Sequence, residues 1–325
     1  MPRQHTHTIT INGKTALMLV IPVAAWYFGK TTTDWFTAGN LHLFSLQFLS
    51  LFIEAAPFLL LGSIVSGLIE VFMKPEMLLR LTPRGRIAQV LAGSCLGLLF
   101  PVCECGVVPV VRRLIRKGMP ATMAIAFLLG APVMNPIVLF ATFKAFGLSS
   151  MLLWRVIGTL SVACLVALLI APKQLKQKQV QEEQAHDSPR SIHAALRHAA
   201  DDFLGIGAYL VIGSLLASLA QVFVPQSILL PVSSHPVLSV FALELLAFVM
   251  SICSSVDAFI ALGFASTFTG GSVLSFLVFG PMVDIKSTLM FLGVFPKKTV
   301  IKLIILPLLF ATILGIAVNV FGILS

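Results

Sequence analysis

Apolar runs of roughly a helical span, separated by short stretches rich in lysine and arginine, recur along the whole chain. A run of about 20 apolar residues is what an α-helix needs to cross a bilayer. The runs lie at residues 15–28, 43–72, 87–111, 119–146, 151–171, 203–224, 237–264, 272–294 and 300–324. The pattern predicts an all-α polytopic membrane protein. The run at 15–28 is short and ends in Trp26 and Tyr27, an interfacial aromatic pair, so it reads as an uncleaved first span rather than a signal segment.

Basic residues decide how the runs cross. The loop at 74–86 holds Lys74, Arg80, Arg84 and Arg86, and the loop at 112–117 holds Arg112, Arg113, Arg116 and Lys117. By the positive-inside rule both loops face the cytoplasm. The run between them must therefore enter and return as a re-entrant hairpin, with arms of about a dozen residues that are too short to span. The run at 237–264 reads the same way, because its flanks at 225–236 and 266–271 carry no Lys or Arg. About seven full spans and two re-entrant segments result, with a cytoplasmic N-terminus.

The two halves match at an offset near 150 residues: Gly62 and Ser63 pair with Gly213 and Ser214, Cys103 with Cys253, and Asn135 with Asp284. The expected organisation is a tail and first span at 1–42, a membrane repeat at 43–171, a cytoplasmic linker at 172–200 and a second repeat at 201–325. Three crossings per repeat make the repeats inverted, each with full spans plus a re-entrant hairpin.

Composition narrows the function. Of 325 residues, 58% are hydrophobic and 11% charged, with a mean hydropathy of +0.99. The net charge of +9 comes from the short loops, so it signals orientation in the lipid bilayer and not a nucleic-acid partner. Five cysteines in apolar surroundings are not a secreted disulfide framework. No Walker loop, dinucleotide fingerprint or zincin helix is present. An enzyme is not expected, and no cofactor is implied.

Polar residues at membrane depth carry the candidate chemistry, because they are costly there. Cys103, Glu104 and Cys105 lie between Pro101 and Gly106. On an ideal helix positions i and i+2 point about 200° apart, but the prolines disfavour a regular helix, so both thiols can face one ligand. Cys253, with Ser254 and Asp257, forms the matching segment and supplies a third thiol. Cys103, Cys105 and Cys253 are the metal-ligating candidates, suited to soft ions or trivalent metalloids. Asp257 is either a proton carrier or a helix cap. Asn135 and Asp284 follow prolines that break their spans, and Lys286 is expected to pair with Asp284 or Glu104. Glu54 and Glu244 are weaker candidates. Cys95 and Cys164 read as small hydrophobes, and 151–171 as a clean span.

At the Pro-Val-Cys-Glu-Cys-Gly stretch of 101–106, the Ala-Pro-Val-Met-Asn-Pro stretch of 131–136 and the Gly-Pro-Met-Val-Asp-Ile-Lys stretch of 280–286, the sequence resembles an uncharacterised bacterial permease family that also contains organoarsenical efflux permeases. The resemblance implies a multi-pass permease of the bacterial cytoplasmic membrane. It suggests export of a thiophilic small species, with the thiol role falling on Cys103, Cys105 and Cys253. Two other readings stay open: a permease for a sulfur-containing or other small anion at Lys286, and a membrane thiol redox enzyme cycling Cys103 with Cys105. The substrate, and whether the chain forms a homo-oligomer, are left open.

Overall fold

The computed structural model describes residues 38–73, 76–78, 82–99, 102–170, 191–223, 233 and 235–324. The expected first span at 15–28, most of the linker, and Pro101 lie outside the described residues. The described residues form twelve α-helices and no strand. They are α1 (Ala38–Phe72), α2 (Arg86–Leu99), α3 (Glu104–Arg116), α4 (Ala121–Met134), α5 (Pro136–Phe146), α6 (Ser150–Leu169), α7 (Ile192–Phe223), α8 (Leu238–Met250), α9 (Asp257–Phe264), α10 (Gly270–Phe279), α11 (Ile285–Val294) and α12 (Lys297–Val320).

The same order occurs twice: a long helix, two short helices parted at a cysteine, two short helices parted at Asn135 or Asp284, and a further long helix. Among the described residues, α1, α6, α7 and α12 are long and apolar enough to cross a bilayer alone, and α4 with α5 does so as a pair bent by 40°. The arms α2 and α8 are too short, as the hairpin reading requires. The expected span at 272–294 is split into α10 and α11, ten residues each. Helix α7 starts at Ile192, inside the stretch read as linker, because Ala194, Ala195, Leu196 and Ala199 are strong helix formers that continue the span.

Local chemistry sets each break. Cys103 is extended (φ −78°, ψ 177°) before α3 begins at Glu104. Helix α8 ends in Ser251, the one non-glycine residue with positive φ (48°) among the described residues. Asn135 caps α5 by accepting from the Ile137 amide at 2.9 Å, with Pro136 at the first helical position. Asp284 caps α11 in a reciprocal capping box with Ser287.

Helices α1 and α7 pack antiparallel at the centre: Gly67 lies against Ala195 and Ala199, and Ser66 beside Asp202. Around them α2 packs on α4 and α8 on α10, while α6 lies on α4 and α12 on α10. The second arms cross between halves: α3 meets α11, and α5 meets α9. Leucines and isoleucines such as Leu46, Leu49 and Ile53 on α1, and Ile301, Ile305 and Leu309 on α12, stay exposed. Such stripes are what a helix turns toward hydrocarbon.

Candidate functional site

The site forms where the cysteine break of each half meets the Asp284 break. Glu104 opens α3 and is 3% exposed; Lys286 sits in the first turn of α11 and is 1% exposed. The Lys286 ammonium donates to Glu104 Oε1 at 3.3 Å and to the Ser251 carbonyl at 3.2 Å, and lies 3.9 Å from Asp284 Oδ2. The left-handed turn at Ser251 is what aims that carbonyl inward. Lys286 thus has both of the partners expected of it.

The thiols converge on this cluster. Cys103 lies near enough to Cys105 and Cys253 to interact with both. Lys286 is in electrostatic reach of Cys105 and Cys253. Cys103 precedes α3 and Cys105 lies in its first turn, so the i, i+2 pair escapes the splayed geometry of a continuous helix. Cys253 comes from the other half, and Ser255 donates to its sulfur at 3.5 Å. All three thiols are buried and free. Among the described residues no three His, Cys, Asp or Glu side chains are set as a ready metal-ligand group. Glu104 Oε2, Asp284 Oδ2 and Ser254 Oγ are buried without a hydrogen-bond partner.

Two predicted residues take other places. Asn135 serves as a helix cap on α5. Asp257 opens α9 and pairs at 2.6 Å with Arg155, which is fully buried in α6. Arg155 also donates to Thr142 on α5 at 2.7 Å. The run at 151–171 is therefore not clean. The signal was legible, since an arginine inside an apolar span demands a partner. Each half thus lends one ion pair to the other: Glu104 with Lys286, and Asp257 with Arg155. Removing one member of such a buried pair costs about 3–5 kcal/mol, because the other charge is left uncompensated.

At one end of the central helices, α1, α3 and α7 are tied by charge. Arg113 binds Asp202 at 3.0 Å and Glu70 at 3.2 Å, Ser66 donates to Asp202 at 2.6 Å, and Lys117 reaches the Glu70 carbonyl at 2.6 Å. At the other end, a cavity of about 710 Å³ opens between α1, α7, α8 and α9. Gln47, Ser50, Glu54, Gln221, Met250 and Val256 line it. Glu54 therefore faces this cavity.

These features define a class: a polytopic α-helical membrane protein with broken helices meeting around a buried polar site, the architecture of a permease. A family model described as "Predicted permease" (ArsP_1) matches residues 40–320, and the chain belongs to that family. It is 44% identical over 266 residues to UPF0718 protein YcgR of Bacillus subtilis (strain 168), covering 79% of this chain and 90% of the relative. A Streptococcus mutans relative, 40% identical over 79% of this chain and 88% of its own length, carries a name that marks it provisionally as a subunit of a two-component membrane permease complex. UPF0718 protein YraQ of Escherichia coli (strain K12) is 33% identical over 41% of this chain and 36% of its own length. No solved structure matches.

Proposed function

We propose that the chain is a secondary transporter that exports a soft metal, a trivalent metalloid or a related thiophilic compound through the thiol site. One observation carries the reading: three thiols from two halves converge on a cluster holding two carboxylates and a single ammonium. Lys286 is already matched by Glu104, and Asp284 adds a further negative charge. Such a site repels a small anion and attracts a soft cation or a neutral electrophile. As a thiol becomes a metal-bound thiolate it gives up a proton, and the Glu104 carboxylate beside it is the acceptor.

The halves act as inverted repeats. Equivalent helices α1 and α7 run antiparallel, and the second arms cross between halves. The end tied by Arg113, Asp202 and Glu70 lies by the basic loops and faces the cytoplasm, so the cavity faces outward. Transport then alternates between this state and its mirror, with one repeat rocking on the other. The S. mutans relative's name favours a second protein as a partner in the membrane.

The test is accumulation in cells lacking other exporters, across trivalent arsenicals, zinc, copper and thiosulfate. Wild type is compared with Cys103→Ala and Cys253→Ala. A soft species kept low by wild type and retained by both variants is expected. Equal accumulation in all strains across the soft panel overturns the reading. An effect confined to thiosulfate moves the function to an anion at Lys286.

A further inference from the structure

Away from the thiol site, Glu244 on α8 is fully buried and has no cationic partner among its contacts. Ser275 on α10 bonds its Oε1, and Thr312 on α12 lies 2.5 Å from its Oε2. Full burial without a counter-charge favours its neutral form. The Thr312 hydroxyl has one proton, and it also sits 2.7 Å from the Leu308 carbonyl, which can only accept. As the neutral acid, Glu244 can donate from Oε2 to Thr312, which then keeps its own proton for the Leu308 carbonyl. Ser275 then donates to Oε1, and every atom of the group is satisfied. An ionised carboxylate would be an uncompensated charge in a place where such a charge is most costly.

We infer that Glu244 is a proton-binding site, held as the neutral acid between α8, α10 and α12, and that its proton is the one this permease couples to transport. Among the described residues Glu244 has no ion-pair partner; α6, packed against α10 and α12, carries Arg155, which is paired with Asp257 of α9. Helices α8 and α10 carry no further titratable residue. On α12 the only ones are Lys297, Lys298 and Lys302, and the nearest is ten residues from Thr312, about 15 Å along a helix. From 203 to 223, α7 has Tyr209 as its sole titratable residue. The matching position in the first half is Ser94, so this proton site exists once per chain.

The placement links the proton to the cargo, and this link rests on the function proposed above. From Glu244, α8 runs to its cap Ser251, whose carbonyl holds Lys286, and the chain then continues through the break to Cys253. Helix α10 runs from Ser275 to the break at Asp284, beyond which Lys286 lies in the first turn of α11. The acid therefore joins the two arms whose far ends build half of the thiol site. Losing the proton leaves an uncompensated charge between the arms, and their movement is what would let water reach it.

The experiment uses the full chain in lipid nanodiscs and in proteoliposomes. A protonated carboxyl has an infrared carbonyl band, shifted in D2O, that a carboxylate lacks. At neutral pH the band should lose one carboxyl's intensity in Glu244→Gln. A Glu244→Gln spectrum that superimposes on wild type overturns the proposal. Glutamine keeps the shape and a donor, so the variant should fold. In proteoliposomes probed with cadmium ion, Glu244→Gln should keep cadmium exchange but lose accumulation driven by a pH gradient. A variant that retains gradient-driven accumulation overturns the coupling. Wild type that moves no cadmium, with the infrared band present, counts against the thiol-site function and not against the proton site.

Discussion

Gly62 and Gly213 hold matching places in the two halves but touch different things. A Cβ on Gly62 would lie 2.2 Å from the Gly106 carbonyl oxygen, so α1 is seated on α3, just past the Cys103 break. A Cβ on Gly213 would lie 2.9 Å from Lys286 Cα, so α7 is seated on α11, just past the Asp284 break. In a symmetric molecule both glycines would meet the same kind of element. Here one long helix grips a hairpin arm and the other grips a broken span. The same asymmetry appears at larger scale: ion pairs close one end of α1 and α7, while the cavity opens the other. The two halves, alike in their order of helices, are therefore packed differently.

The comparison breaks most sharply at Lys286. Lys286→Met should leave Glu104 and Asp284 without a cation and cost about 3–5 kcal/mol, read as lost folded yield and a lower thermal midpoint. Adding Glu104→Gln should restore part of that loss. The glycine seats come next. Gly62→Ala should cost more than Gly213→Ala, because its new methyl meets backbone at a shorter distance, with both near the ~1–3 kcal/mol of overpacking; thermal midpoints in one detergent rank them. Asp202→Asn removes a charge from the tied end, and should speed labelling of Cys105 by an impermeant maleimide from that side several-fold; unchanged labelling would mean the ion pairs do not hold that end shut. Cys95→Ala, at an exposed position on α2, should stay within about 0.5 kcal/mol of wild type.

Much of this was legible in the sequence because prolines, glycines and intramembrane charges are rare and each demands an explanation. Cys103, Glu104, Cys105, Cys253, Asp284 and Lys286 were found that way, and they meet. The offset near 150 residues lines up the break at Cys103 with that at Cys253, and Asn135 with Asp284. Arg155 escaped although it was in plain view, because a single charge in an apolar run is easily averaged away. Its partner Asp257 is 102 residues distant, and no local pattern joins them. The network of Ser66, Glu70, Arg113 and Asp202 escaped for a different reason. These residues sit near helix ends, where charge is ordinary, and only the packing of α1 on α3 and α7 buries them. The grip of Glu244 by Ser275 and Thr312 is likewise set by which helices neighbour one another.

The crossing of second arms between halves has a consequence for how the protein is made. Glu104 and Lys286 are 182 residues apart. At a synthesis rate of about 5–20 residues per second, Glu104 leaves the ribosome roughly 10–40 s before its partner. During that interval the first half has no ammonium to match its carboxylate and no second thiol-bearing arm to complete its pocket. The first half must therefore wait at the insertion machinery, or in the bilayer with Glu104 neutral, until α11 arrives. Truncation anywhere before Lys286 would release a half-built membrane protein, a natural target for quality-control proteolysis.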